Sequence, residues 1–405
     1  MRALRILQVN SRYREYGGEE RVVENDAESL RAAGHEVRLF ETTNQGSKAA
    51  TVGSLAASSW NLRQAARIRR VVREWRPDVA HVHNTWFSLS PSVFRALEDE
   101  GVPVVATIHN YRVACVSADL WRDGRVCHDC LGRDFPAPGV RHGCYRGSRT
   151  LSAAVATSSK VQAHLLARLP TGRVVVSSEF LKGVLVRAGL REDLFTVIPW
   201  TTPDPGPRSC RPSESKEVYF VGRLEPGTKG IERLIERWSR ARAEGSLGDL
   251  RLNLIGTGPL AGSASIEAEG VRQLGFMERG ELDRHLLSGR ALVCPSLWEE
   301  PFGLVAIEGF AAGLPVLATD RGALTETVGL LGGNCLLSAD SDRAWAEGLA
   351  RLPDDAWVDR TGEEAREVFE DRFAADRDAD RLHEVLSSAA TGSPGEAAGQ
   401  TRQGR

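Results

Sequence analysis

No run of apolar residues in this chain approaches the roughly 18 that a membrane-crossing helix needs, so no helical span is expected. The opening stretch, Met1 to Asn10, turns polar too soon for a signal peptide. The expected compartment is the cytoplasm, with a peripheral position at the inner membrane face left open. Net charge is almost absent: 52 Lys and Arg against 54 Asp and Glu leave −2, which argues against a dedicated nucleic-acid binder. That balance hides an asymmetry, because residues 1–200 are net basic and the remainder net acidic, and a basic half suits a phosphorylated or membrane-associated partner. Cysteine is scarce, and 7 is an odd number, which suits reduced thiols better than a disulfide framework. No G-x-G-x-x-G follows the first β-like run, where only Gly17-Gly18 stands, so a dinucleotide oxidoreductase is a poor reading. Clustered carboxylates able to hold Mg²⁺ are lacking too. The nearest, Asp376, Asp378 and Asp380, are spaced by two and splay around a helix.

What is present is a globular composition spread over 405 residues, too many for one ordinary core. One grammar recurs: a short β-branched run, a glycine-containing turn, then a helical pattern. It opens with Leu4–Val9, Gly17-Gly18 and a helix to about Ala33, with Val22, Val23, Ala27 and Leu30 on one face and Gly34 just past the end. Further strands are expected at Glu36–Phe40, Val79–His83, Val102–Ile108 and Val174–Ser177. The grammar breaks at Pro199–Arg208, where four Pro and one Gly sustain neither helix nor sheet. It restarts with Val218–Val221, a helix Ile231–Ala243, Leu252–Ile255, Leu292–Cys294, a helix from Gly303 to Ala312, and Val316–Ala318. The expected fold class is therefore α/β, with two Rossmann-like doubly wound domains facing across a cleft. Residues 1–198 form the first, 212–370 the second, and 391–405 read as a disordered tail.

The chemistry concentrates in Glu300-Pro-Phe-Gly-Leu-Val-Ala-Ile-Glu308. A strand end precedes it, and a helix begins near Phe302, Gly303 and Leu304. Such a helix N-terminus offers unpaired N–H groups and partial positive charge to a diphosphate. Glu300 stands where a carboxylate can accept from sugar hydroxyls, and Glu308 one turn inside, where it can clamp a ribose diol. His109 follows a buried apolar run and is expected at a strand's carboxyl end. Arg223 and Lys229 are two cations that can stabilise a diphosphate without a metal.

These residues resemble the retaining glycosyltransferases of family 4, which have the GT-B fold, and the resemblance covers roughly residues 4–385. In that family the first Glu of E-x7-E contacts the donor sugar and the second binds the ribose, which implies those roles for Glu300 and Glu308. Gly17-Gly18-Glu19 is similar to the family's first loop near the donor phosphate, and Thr107-Ile-His109 to its loop histidine beside the transferred sugar. Phe220-Val-Gly222-Arg223, continuing to Lys229, resembles the Arg/Lys pair on the diphosphate, with an interval about one residue longer than usual. Gly256-Thr-Gly258 and Leu274-Gly-Phe276 match turns flanking the base. The resemblance also implies that a last helix, residues 371–390, returns to the first domain. An N-terminal acceptor domain and a C-terminal donor domain follow, with an NDP-sugar (UDP- or GDP-linked) as donor and a hydroxyl as acceptor. The implied reaction is hexosyl transfer with retention, needing no cofactor for catalysis. A non-hydrolysing NDP-sugar epimerase and a non-catalytic sugar-binding protein are the alternatives.

Two features stand outside that scheme. Cys115, Cys127, Cys130 and Cys144 include one C-x2-C pair, open to a structural zinc, free thiols or a disulfide. Residues Trp60–Trp75 carry five Arg opposite an apolar side read as Leu62, Ala66, Val71, Val72 and Trp75. That pattern suits a domain-surface helix, or else contact with an anionic membrane.

Overall fold

The computed structural model describes residues 2–13, 17–43, 60–331 and 334–392, with the side chains of 376–379 outside the description. The side chains of Asp376 and Asp378 and the expected tail beyond residue 392 therefore lie outside it. The chain divides into two compact units. The first comprises Met1–Leu120, Cys127–Trp200 and Asp376–Arg405; the second comprises Trp121–Val126 and Thr201–Ala375.

In the first unit, β1 (Arg5–Arg12) leads through α1 (Gly18–Ala32) to β2 (Glu36–Thr43). Then come α2 (Leu62–Trp75), β3 (Val79–Val82), α3 (Ser92–Asp99) and β4 (Val104–Ile108). A hairpin of β5 (Trp121–Arg122) and β6 (Arg125–Val126) follows and groups with the second unit. The first unit resumes with α4 (Ala137–Arg141), α5 (Arg149–Leu166), β7 (Val174–Val176), α6 (Glu179–Arg187) and β8 (Phe195–Val197). Its six strands lie parallel in the order β2-β1-β3-β4-β7-β8. Strands β3, β4 and β7 are buried throughout, as a parallel sheet covered on both faces requires.

Periodicity places the helices on the sheet. Helix α1 buries Val22, Val23, Ala27 and Leu30, and Gly34 at φ 88° turns the chain out of it. Helix α2 corrects its expected face: Ala65, Ile68, Val72 and Trp75 are buried, while Leu62 and Ala66 are exposed. Val72 and Trp75 are common to both stripes, and packing against α3 decides that Ala65 and Ile68 complete the buried one. Three arginines of α2 pair with acids, Arg69 with Asp99, Arg70 with Glu74 and Arg73 with Glu100. Its basic face is thus largely neutralised, as suits a domain-surface helix. Among the described residues no helix is long and apolar enough to cross a membrane.

The second unit runs β9 (Glu217–Val221), α7 (Ile231–Ala243), β10 (Arg251–Ile255), β11 (Val271–Gly275), α8 (Arg279–Leu287) and β12 (Ala291–Cys294). It continues with α9 (Leu304–Ala311), β13 (Val316–Thr319), α10 (Leu324–Thr327), β14 (Leu336–Leu337), α11 (Asp342–Leu349) and α12 (Asp355–Arg372). These strands are also parallel, in the order β11-β10-β9-β12-β13-β14. Each sheet therefore has a switch point, β1/β3 in one and β9/β12 in the other, where ligands of such folds bind at the carboxyl ends. A last helix, α13 (Ala375–Thr391), belongs mostly to the first unit. There Arg173 donates to the carbonyls of Val385 and Ser388, and His383 meets His35 at 2.7 Å.

Candidate functional site

At the β9/β12 switch point the two strand-end loops are tied together. Leu297 donates to the carbonyl of Thr228 at 2.8 Å. Gly230, at φ 66°, caps α7, and a Cβ there would lie 2.0 Å from the Pro295 carbonyl oxygen. This contact draws Lys229 towards the β12 loop, where its Nζ stands 2.7 Å from Glu300 Oε1 and 5.0 Å from the centre of the Trp298 ring. Ser296 Oγ donates to the same carboxylate oxygen at 2.6 Å. Burial pushes the Glu300 carboxyl up, but the Lys229 ammonium and the hydrogen bonds of Lys229, Ser296 and Trp298 outweigh it and hold it below its ordinary value.

Arg223 does not join this pair; its side chain is 61% exposed and it meets Glu225 at 3.1 Å. Gly256 and Gly258 serve the backbone first. A Cβ on either would fall within 1.9 Å or 2.3 Å of the carbonyl oxygens of Gly222 and Leu224. They let the β10 turn lie directly on the loop that carries Arg223. Phe276 is 52% exposed just after β11. Gly303, at φ 92°, starts α9, with Leu304 as its first residue and first-turn amide. Phe302 instead turns its ring inward, buried against Phe373. Glu308 is buried one turn into α9 and pairs with Arg279 at 3.1 Å, a partner unread from the sequence. The Glu300 loop is held by Gly322, bridged to it, and by Ala323, which donates to the Glu300 carbonyl.

In the first unit Gly17 caps α1, and its N–H is taken by Glu20 Oε2 at 3.1 Å. Gly18 is exposed at the first helical position. Beside it Glu19 accepts from Asn110 Nδ2 at 3.2 Å. Burial raises its carboxyl to about 8, assisted by the Glu20 charge and opposed by Asn110 and Arg112. His109 lies at the end of β4, with Nε2 3.1 Å from His83 Nδ1 and its ring 5.2 Å from that of Trp200. Burial lowers it to about 3. Glu19, His83, Ser296, Trp298 and Arg279 thus lie beside or contact the expected site residues, though no motif marks them. Position beside Gly18 for Glu19, and just past the end of β3 for His83, is the local signal the sequence offers.

The four loop cysteines lie near one another. Burial raises the Cys130 thiol to about 11, and Cys115, Cys144 and Cys127 add to the shift. Cys115 is turned to Ser117 Oγ at 3.3 Å and Cys130 to the Pro136 carbonyl at 3.9 Å. Among the described residues, the group with ligand atoms within 4.8 Å of one another is Asp26, His81 and His83.

The family model described as Glycosyltransferase Family 4 matches residues 16–200, and that of Glycosyl transferases group 1 matches residues 215–355. A glycogen synthase of Mycobacterium tuberculosis is 27% identical, with 91% of each chain covered. A 2-deoxystreptamine N-acetyl-D-glucosaminyltransferase of Streptomyces fradiae is 29% identical over 64% of this chain and 58% of its own. Among solved structures, sucrose-phosphate synthase of Thermosynechococcus elongatus superposes with a TM-score of 0.69 at 19% identity, covering 96% of this chain and 100% of that one. Anabaena HepE, solved with UDP and glucose, gives 0.67 at 18%, covering 95% and 100%. With two parallel α/β units and a matching family model on each, the chain belongs to the family 4 glycosyltransferases and is a glycosyltransferase of the GT-B fold.

Proposed function

We propose that the protein transfers a hexosyl unit from an NDP-sugar, UDP- or GDP-linked, to a hydroxyl acceptor with retained configuration. The observation that carries this reading is the Lys229–Glu300 pair at the β9/β12 switch point, one loop ahead of the α9 N-terminus. Departure of the nucleoside diphosphate builds negative charge on phosphate oxygens. Lys229, Arg223 and the first amides of α9 supply positive potential for it, so the step needs no metal. Glu300, kept ionised by Lys229, accepts from hydroxyls of the transferred sugar, and His109 contacts the same sugar. Glu308, oriented by Arg279, takes the ribose diol, and the turns at Gly256, Gly258 and Phe276 border the base. The loop of Gly17 and Gly18 brings backbone N–H groups near the donor phosphate, and Glu19 beside them, its carboxyl raised to about 8 by burial, adds little charge to repel it. With no carboxylate placed as a nucleophile among the described residues, the leaving phosphate assists the acceptor proton on the same face. HepE, crystallised with UDP and glucose, supports a nucleotide-linked donor.

The test is a donor screen: purified protein is incubated with several NDP-sugars and the released diphosphate is measured. Release from one or two donors, lost in Glu300→Gln and His109→Ala while bare nucleotide still binds, is the expected result. Interconversion of donor sugars without an acceptor would establish the epimerase reading instead. Absence of turnover with tight donor binding would establish the sugar-binding reading.

A further inference from the structure

Behind His109 runs a chain of hydrogen bonds whose polarity can be read from one end. Gln8 is fully buried on β1, and its amide nitrogen lies 2.9 Å from the carbonyl oxygen of Val23. A carbonyl only accepts, so the nitrogen end of the amide must face it. The same nitrogen lies 2.9 Å from His83 Nε2. As a donor it makes Nε2 the accepting nitrogen, and the His83 proton then sits on Nδ1. From there His83 donates to His109 Nε2 at 3.1 Å. The His109 proton is left on Nδ1, an atom that is buried and has no hydrogen-bond partner among the described residues.

We infer that Gln8 and His83 are positioning residues that hold His109 as the neutral Nδ1–H tautomer, so that it offers the transferred sugar a hydrogen-bond donor and no base. This rests on the assignment of His109 to the sugar made above. Burial and the neighbouring His81 disfavour a proton on Nε2 as well, since an imidazolium would point N–H at N–H across the His83 contact. The groups facing this chain are His81, Asp26 at 3.9 Å from His83 Nε2, and the Trp200 ring. Asp26, His81 and His83 have the spacing of a cation site. A cation there would need the His83 lone pair that Gln8 already occupies. A donor held at Nδ1 can stabilise a sugar oxygen at every stage of the reaction, whereas a base at that atom would compete with the leaving phosphate for the acceptor proton.

Long-range proton–nitrogen correlation spectra of the full chain, with labelled histidine, distinguish the two tautomers, and His109→Asn identifies the signal. The expected result is an Nδ1–H imidazole that does not titrate from about pH 5 to 8. A wild-type His109 with its proton on Nε2, or one that becomes charged in that range, overturns the inference without any appeal to activity. Gln8→Met removes the donor that fixes the His83 tautomer and should let the His109 proton populate Nε2. Donor turnover should then fall about tenfold, with bare nucleotide affinity unchanged. If the tautomer moves and turnover does not, the wiring stands and the assignment of His109 to the sugar is what fails.

Discussion

Glu308 shows how much a single side chain is asked to do. It is buried at 2% exposure and engages Arg279 through one oxygen, yet Arg279 also bonds Asp283 and Thr202. Removing the carboxylate therefore leaves Arg279 with partners and need not collapse the loop. Charge-assisted hydrogen bonds are worth roughly 1.5–3 kcal/mol each. Glu308→Ala should bind nucleoside diphosphate at least about tenfold more weakly by calorimetry. Unchanged affinity in a folded variant would remove Glu308 from the ribose. Glu19 supplies a pH signature. Its folded-state carboxyl is raised to about 8, above the ordinary 4.5. Its contribution to stability is therefore complete below the unfolded value and is lost as pH rises through the folded one. Glu19→Gln carries no charge at any pH. The two proteins should melt alike at about pH 4, and the variant should melt higher at about pH 9. Parallel melting curves across that range would mean the carboxyl is not held protonated.

At the scale of elements, the apolar periodicity of α1 and the all-buried strands were legible because each depends on its own residues. The face of α2 was not. Val72 and Trp75 were legible, but Leu62 and Ala66 continue that stripe as well as Ala65 and Ile68 do until α3 is present to choose. Loops are harder still, because one glycine can serve a ligand or a backbone neighbour. Gly230 illustrates the second case. A methyl group there would strike the Pro295 carbonyl, and φ 66° is strained for any other residue. Gly230→Ala should cost about 2–3 kcal/mol of stability. It should also pull Lys229 away from Glu300, so diphosphate affinity and melting temperature fall together. A variant with wild-type melting and affinity would show that the two loops do not depend on this contact.

For the whole molecule, the cation account makes turnover independent of divalent ions. Activity should persist through a brief incubation with excess EDTA. Loss restored by Mg²⁺ or Mn²⁺ would sink the account, whereas slow loss restored only by Zn²⁺ would point to the cysteine loop instead. The amino-acid sequence by itself determined the fold class, because alternating β-branched runs, glycine turns and 3.6-period helices are local properties that sum to parallel sheets. It also marked the segment from Glu300 to Glu308 and the strand-end position of His109. Only the tertiary structure decided which groups meet. Lys229 reaches Glu300 across 71 positions, Arg279 reaches Glu308, Arg223 stays with Glu225, and Gln8 orders His109 through His83. These pairings depend on backbone turns and strand order rather than on residue spacing, and the energy of a buried charge or a directed proton is set by distances that exist only after the chain has folded.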